Sequence, residues 1–321
     1  MSPHRDPSPA VPFQFGTVSE CGAVDASDLG FTLPHEHVLV DFIGAREVGA
    51  HRYDADDVVA TMDPPLRQLV ELGVHAFVDC TPMYLARDPG VLKRLSQQTG
   101  LKIITNTGQY KPPYLPDRTF DINAETLAGE WIAECNDGIA GTGVSPGFIK
   151  TAVDPGVLPD IIRKTISAAA ITSSETGLTI GTHCGNGLAA REILTILNSY
   201  NVSPGKWIFI HAQNESDHDQ LLRAASEGAW IELDGIGQGE DENHLVPLLK
   251  LLDAGYERQV LLSQDAGWYE VGSSPDHPRK PYTYIVTDFL PMLGRYGIDR
   301  RVIDQIMVDN PARALRIGSP V

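Results

Sequence analysis

Two histidines one residue apart, His35 and His37, stand at the start of the apolar run Val38-Leu39-Val40. Side chains two residues apart in a strand point the same way, so both imidazoles could bind one metal ion. On a helix, the same spacing would place the rings on different sides of the axis. Because an isolated His-x-His pair also occurs without a metal, its interpretation depends on the rest of the chain.

Further candidates share one kind of position, the C-terminal end of a predicted strand. They are Lys150, His183, His211 and Asp265. In a barrel of parallel strands these ends meet at one face, where barrel enzymes hold their active sites. Four of the ten histidines of the chain occupy such positions. The other six are predicted elsewhere: His75 at the opposite end of the barrel, His4 in the leader, and His51, His218, His244 and His277 as exposed residues.

The elements that must position these residues alternate along the chain. From His35 onward, short β-branched runs alternate with longer amphipathic segments, which is typical of βα units and a parallel sheet. The first predicted strand ends at residue 37. The other seven span 75–80, 102–107, 147–150, 178–183, 207–211, 230–234 and 259–265. Helices are predicted over 56–72, 187–200, 216–227 and 243–254, with Ser216 as an N-cap.

Strand and helix, repeated eight times over about 250 residues, predict an α/β fold of the (β/α)8 barrel class (TIM barrel). A short N-terminal β-hairpin is predicted between Thr17 and Gly30. A doubly wound open sheet is the alternative, but no glycine-rich phosphate loop follows the first strand. Residues 1–15 are predicted to be a disordered leader and 16–321 a single domain.

The residues 265–281 after the last strand are predicted to form a strandless loop over the pocket. Trp268 and Tyr269 in this segment are candidate walls of the substrate pocket, and packing within the loop is an equal alternative.

Composition limits the possible partners and the compartment. The formal net charge is -17 without clustered Lys or Arg, which excludes a nucleic-acid partner. No segment resembles a secretory signal, and no apolar run reaches the ~18 residues of a membrane span. The four cysteines lack Cys-x-x-Cys spacing, so we expect reduced thiols. The sequence predicts a soluble cytoplasmic protein that acts on a small molecule.

The candidate ligands predict two divalent metal ions. A catalytic zinc uses three protein ligands and a water, and four histidines with one aspartate exceed that number. Lys150 is protonated at neutral pH and cannot bind a metal as an ammonium. Its reaction with carbon dioxide would give a carbamate (N6-carboxylysine), whose oxygens could bridge ions about 3.5–4 Å apart. A Schiff-base nucleophile and a salt-bridged lysine are alternatives that leave the four histidines unexplained.

The set His35-Glu36-His37, Lys150, His183, His211 and Asp265 resembles that of the phosphotriesterase family of the amidohydrolase superfamily. Residues 17–34, and 309–313 with their Asn-Pro-Ala, extend the resemblance over nearly the whole chain. The resemblance implies Zn²⁺, with Co²⁺, Mn²⁺ or Fe²⁺ as alternatives, and a homodimer.

Residues 107–110 resemble the Gly-x-Tyr of the lactonase branch of this family, in which a tyrosine reaches over the metals. Tyr110 is the candidate for that role, and packing under the loop is the alternative. After strand seven the chain reads Leu233-Asp234-Gly235-Ile236-Gly237, where lactonases commonly carry an arginine and a tyrosine. The resemblance is therefore stronger for the metal centre than for the substrate.

Together these features predict a binuclear-metal hydrolase that acts on an ester, and first on a lactone. His35, His37 and Asp265 would hold one metal and His183 and His211 the other, while carboxylated Lys150 and a hydroxide bridge both. Asp265 would accept the proton of the hydroxide, and Tyr110 would stabilise the oxyanion or orient the ring. A phosphotriester hydrolase, an amidase or sugar-lactone hydrolase, a Schiff-base aldolase using Lys150, and a noncatalytic metal-binding scaffold are the alternatives. The polar residues Gln109, Lys111 and Asn186 keep a polar substrate open.

Overall fold

A computed structural model describes residues 29–274 and 278–318 in full, and residues 14–17 and 22–25 as backbone strands. Residues 1–13 of the predicted leader and His277 lie outside the described residues. The strands are β1 (Gln14–Thr17), β2 (Gly22–Asp25), β3 (Thr32–Val40), β4 (Ala76–Asp79), β5 (Lys102–Ile104), β6 (Asn106–Thr107), β7 (Phe148–Ala152), β8 (Ile180–His183), β9 (Trp207–Ile210), β10 (Trp230–Leu233), β11 (Val260–Leu262) and β12 (Gly267–Glu270).

The described α-helices are α1 (Ala55–Glu71), α2 (Pro89–Thr99), α3 (Asp117–Asp121), α4 (Ala124–Asp137), α5 (Asp160–Thr176), α6 (Gly187–Ser199), α7 (His218–Glu227), α8 (Glu242–Asp253), α9 (Leu290–Arg295), α10 (Arg300–Asp304) and α11 (Asn310–Ala314). Asp217 caps α7 by accepting a hydrogen bond from the backbone N–H of Asp219, so the predicted cap at Ser216 was one residue early. None of the described helices is both long and apolar enough to cross a membrane.

Parallel strands form the barrel in two sheets, with the orders β11-β10-β9-β8-β7-β6 and β12-β3-β4-β5. The sheets meet where the third barrel strand breaks into β5 and β6 and the eighth into β11 and β12. The predicted (β/α)8 barrel is confirmed. The predicted hairpin is also confirmed, as the antiparallel pair β1–β2, which begins at Gln14.

The alternation of side chains decides what faces the barrel interior. Phe148, Ile208 and Trp230 belong to an inner apolar cluster. Their neighbours Ile149, Phe209 and Ile231 pack in the outer cluster that contains the core residues of the helices. Residues two positions after an inner residue therefore also face inward. This parity places Lys150 on β7 and Glu232 on β10 inside the barrel.

The segment after the eighth strand differs from the prediction. Residues 265–281 are not strandless, because β12 runs parallel to β3 with Gly267 opposite His37 and Tyr269 opposite Leu39. Glycine at position 267 is required because its φ is +95° and the Tyr282 ring lies against its backbone. His244 was predicted to be exposed but is buried on α8, where its Nε2 lies 2.6 Å from the carbonyl oxygen of Asp234.

Candidate metal centre

The six predicted ligands meet at the C-terminal rim of the barrel, where they line one cavity of about 130 Å³: His35, His37, Lys150, His183, His211 and Asp265. The ring centroid of His35 lies 5.5 Å from that of His37 and 5.1 Å from that of His211. The His183 and His211 rings are 4.4 Å apart. Oδ1 of Asp265 lies 3.1 Å from Nε2 of His37 and 3.7 Å from Nε2 of His35. The fold therefore brings residues of five strands, or of the turns directly after them, to one point. The first strand was predicted to end at residue 37, but β3 continues to Val40, so His35 and His37 lie within it.

The predicted pocket residues divide into two groups. The Tyr110 hydroxyl lies 2.9 Å from Nδ1 of His183, and the Trp268 ring stands edge-on to His37 with centroids 5.7 Å apart. Both line the cavity of the site. Tyr269 does not, because side chains alternate along β12. It lines a separate cavity of about 390 Å³ that reaches α1, and Trp268 borders both cavities.

Two candidate ligands have left-handed backbone conformations, which cost energy for residues other than glycine. His211 has a φ of 61° and Asp265 a φ of 48°. Because Ile208 and Ile210 face the interior, a continued β9 would turn His211 outward, and the left-handed conformation redirects it to the rim. The backbone N–H of His211 donates to Asp234 Oδ2 at 3.0 Å, and that of Asp265 donates to the carbonyl of His35 at 3.0 Å.

Three histidines are oriented through Nδ1. His35 Nδ1 lies 2.7 Å from Glu232 Oε1, His211 Nδ1 lies 2.5 Å from Asp234 Oδ1, and His37 Nδ1 lies 2.8 Å from Thr81 Oγ1. Such partners fix the ring and leave Nε2 as the metal-binding atom. Glu232, Asp234 and Thr81 are not among the residues that the sequence predicts for the site. The signal for the two carboxylates was their alternation with Leu233 along a predicted strand, which puts both on the inner face.

Glu36, between the two histidines, holds the other side of the site in place. Its buried carboxylate accepts hydrogen bonds from Ser263 Oγ at 2.8 Å, Gln264 N at 3.0 Å and Ala266 N at 2.9 Å. Burial raises the pKa of Glu36 to about 8. These bonds fix residues 263–266, the break between β11 and β12 that carries Asp265.

Burial and neighbouring groups shift the pKa values of the histidines and of Asp265 in the directions that favour metal binding. Burial, with the nearby Lys150 ammonium, lowers the pKa of His35 to about 3. Burial and the facing His211 ring lower the pKa of His183 to about 2. Both rings are therefore neutral at pH 7 and keep a lone pair for a metal. Burial would raise the pKa of Asp265, but the hydrogen bond from His37 holds it below its usual range, so the carboxylate stays ionised.

Glu232 and Asp234 form a closely coupled pair. Burial and the Asp234 charge raise the pKa of Glu232 well above its usual range. Burial acts on Asp234 in the same direction, but the His211 and His35 rings outweigh it and hold the pKa of Asp234 well below its usual range. The two carboxyl groups therefore titrate as one coupled pair, in which the negative charge is favoured on Asp234.

Lys150 is the least satisfied residue of the site. Its side chain is 2% exposed, and its buried Nζ has no hydrogen-bond partner among the described residues. An unpaired buried ammonium is costly. Conversion to a carbamate would give this position acceptor oxygens among neutral histidines, so the site fits the predicted metal pair.

Within the part of the chain that the structure describes, two groups of residues have donor atoms close enough to share a metal ion. Within each, one atom per residue lies within 4.8 Å of the others. The first is His35, His37 and Asp265, as predicted. The second contains His35, His211 and Asp234 and does not include the predicted His183. Asp234 is also the hydrogen-bond partner of His211 Nδ1, so its place in this group fits a residue that orients the ligands.

A (β/α)8 barrel whose rim gathers histidines and carboxylates around a buried lysine is typical of metal-dependent hydrolases. The model of the phosphotriesterase family matches residues 15–315. The chain therefore belongs to the phosphotriesterase family, as its sequence motifs predicted, and is a metal-dependent hydrolase.

Relatives in this family carry different substrate names. The chain is 30% identical over 310 residues to an aryldialkylphosphatase of Saccharolobus solfataricus, covering 91% of this chain and 96% of that protein. It is 26% identical over 292 residues to a phosphotriesterase homology protein of Escherichia coli, covering 88% and 97%. It is also 26% identical over 336 residues to an N-acetyltaurine hydrolase of Mus musculus, covering 92% and 96%. Similarity across the family therefore supports hydrolysis without selecting one bond type.

Proposed function

We propose that this protein hydrolyses carboxylic esters, and lactones first, at a binuclear metal centre. His35, His37 and Asp265 would hold one ion and His183 and His211 the other, with carboxylated Lys150 shared between them. The ions would be Zn²⁺, with Co²⁺, Mn²⁺ or Fe²⁺ as alternatives. When bound, they supply Lewis acidity and a hydroxide nucleophile at neutral pH. The observation that carries the proposal is the unpartnered Lys150 Nζ beside neutral histidines.

Asp265 and Tyr110 have the protonation states that ester hydrolysis needs. Asp265 is ionised and can accept a proton near the reacting carbonyl, then return it to the leaving alkoxide. Burial and the Asp265 charge raise the pKa of Tyr110 above its usual range, so its hydroxyl keeps its proton and can donate to the developing oxyanion. Val40, Phe42 and Leu85 offer an apolar wall for the acyl chain or lactone ring.

Amide hydrolysis is the second candidate. A polar cavity of about 610 Å³ adjoins the site and is lined in part by Gln213, Asn214, Gln238 and Asn243. These side chains suit a polar acyl or amine group, and the similarity to an N-acetyltaurine hydrolase agrees with such a substrate. The similarity to an aryldialkylphosphatase keeps phosphotriester hydrolysis as a further alternative. A screen of lactones, esters, amides and phosphotriesters against metal-reconstituted protein ranks these substrates.

Replacement of Lys150 tests the proposed centre. Lys150→Met should remove turnover and metal pairing because the shared ligand is lost. Lys250→Met, which removes an exposed lysine paired with Asp219, is the matched control and should behave as the unchanged protein. Isotopically labelled bicarbonate should give a carbamate NMR resonance that only Lys150→Met lacks. Trapping of Lys150 by borohydride, with activity that survives chelators, would instead support the Schiff-base aldolase.

Homodimer formation and a cytoplasmic location stay predictions. Light scattering on the purified full chain would measure its oligomeric state, and fractionation of its source cells would locate it.

A further inference from the structure

Lys111 stands beside the candidate metal centre and has no role in the proposed hydrolysis. It follows Tyr110 in the loop after β6, and its Nζ lies 3.3 Å from Nε2 of His183. The same atom lies 5.7 Å from the centroid of the Tyr110 ring. Its side chain is only 17% exposed. A mostly buried positive charge therefore lies in contact with a candidate metal ligand and beside the residue that we place over the reacting group.

The partner of this lysine is weakly held. Lys111 Nζ lies 2.5 Å from Oδ1 of Asp154, whose side chain is 72% exposed. Ion pairs with exposed carboxylates contribute little, because water and salt compete for both groups. An anion that enters the site can therefore replace Asp154 at small cost and bind the ammonium in a drier environment, where the attraction is stronger.

A second lysine lies near the other aromatic wall of the site. Lys280 Nζ contacts Gln238 Oε1 and lies 5.9 Å from the centroid of the Trp268 ring. Trp268 and Tyr110 both line the cavity that holds the candidate ligands. Lys280 lines the separate cavity that Trp268 also borders, so its charge lies beside this wall and outside the cavity of the candidate ligands. Lys111 is therefore the ammonium group that contacts the site itself.

We propose that Lys111 is a specificity-determining residue that binds an anionic group of the substrate, a carboxylate or a sulfonate. The inference rests on the proposed function and narrows its substrate class to esters, lactones or amides with a negative group away from the bond that is cleaved. The anion takes the place of Asp154 beside Tyr110, while the scissile carbonyl lies over the metal centre.

Two esters of equal length and different charge test the proposal in the metal-loaded enzyme. The p-nitrophenyl monoester of glutaric acid carries a free carboxylate, and p-nitrophenyl valerate is its neutral counterpart. Lys111→Met should lower kcat/KM for the anionic ester by roughly ten- to one-hundredfold more than for the neutral ester, as expected for one charged hydrogen bond. A change common to both esters reports the contact of Lys111 with His183. Added salt should raise KM only for the anionic ester.

Two further variants separate recognition from structure. Lys250→Met should leave both esters unaffected. Asp154→Asn should raise kcat/KM for the anionic ester, because a competing carboxylate is removed. If Asp154→Asn lowers it as Lys111→Met does, or if Lys111→Met affects both esters equally, the ion pair only supports the loop and the proposal is overturned.

A binding measurement keeps the test independent of turnover. Propanesulfonate coordinates metals weakly, and methyl propyl sulfone is a neutral compound of similar shape. In calorimetry, the full-length protein should bind the sulfonate more tightly than the sulfone, and Lys111→Met should abolish the difference. If neither these esters nor the lactones of the screen are hydrolysed but this difference is present, the proposed function fails and the anion site stands. Equal binding of both compounds overturns the anion site. If Lys111→Met lowers kcat/KM for the carboxylate ester by a larger factor than it lowers the affinity for the sulfonate, the recognised group is a carboxylate.

Discussion

The two sides of the rim hold their histidines in different ways. On the β10 side, the buried carboxylates of Glu232 and Asp234 contact Nδ1 of His35 and His211. On the opposite side, both ring nitrogens of His183 face residues of the loop after β6, namely the Tyr110 hydroxyl and the Lys111 ammonium. Strands thus fix one side and a loop contacts the other.

This difference separates two tasks. Carboxylates carried by barrel strands keep their positions whatever substrate is present, which suits the binding of metal ions. Loop side chains can change between relatives without disturbing the barrel, which suits the selection of substrate. The loop is nevertheless positioned closely: Gly108 has a φ of +102°, and a Cβ there would collide with the carbonyl oxygen of Lys150. The comparison predicts that strand-borne variants lose metal and loop-borne variants lose substrate turnover.

The largest effect should come from Asp265. Asp265→Ala removes a carboxylate that contacts both His37 and His35. We expect turnover to fall by more than about a thousandfold, as when a reacting group is lost. Asp304→Ala, in an exposed ion pair with Arg300, is the control. Steady-state kinetics and circular dichroism would measure activity and fold, and an unchanged rate in Asp265→Ala would contradict the assigned site.

An intermediate effect is expected from Asp234, on the strand-borne side. Asp234→Asn keeps the size of the side chain but weakens its hold on His211, so metal affinity should fall by about 10- to 100-fold. Competition with a chromogenic chelator measures this affinity. Excess metal should restore most of the turnover. Unchanged metal affinity would mean that the two sides of the rim do not differ as proposed.

The smallest effect should come from Tyr110, on the loop-borne side. Tyr110→Phe keeps the ring and removes one neutral hydrogen-bond donor, so lactone turnover should fall by about tenfold while metal content stays constant. Metal analysis and kinetics on the same samples distinguish the two quantities. Loss of metal with turnover would assign Tyr110 to the metal-holding side, and equal activity would reduce it to a packing residue.

The parts of this site that are local in sequence could be predicted. The sequence shows His, Lys or Asp near the ends of predicted strands, and the C-terminal ends of the strands of a (β/α)8 barrel lie at one face. The role of Asp234 could not be predicted, because it depends on which strand lies beside β9 and on the left-handed turn at His211. The same limit applies to β12. Its aromatic residues and flanking glycine indicate a loop in the sequence, because its partner, β3, lies more than 200 residues earlier in the chain.

The break in the eighth strand places Asp265 against His35 and His37, where the first and eighth strands pair and close the barrel. A cation shared by these three residues would connect the first strand of the barrel to the eighth. The enzyme would then depend on its metal for mechanical integrity as well as for chemistry, and its resistance to heat would report the metal supply of its surroundings.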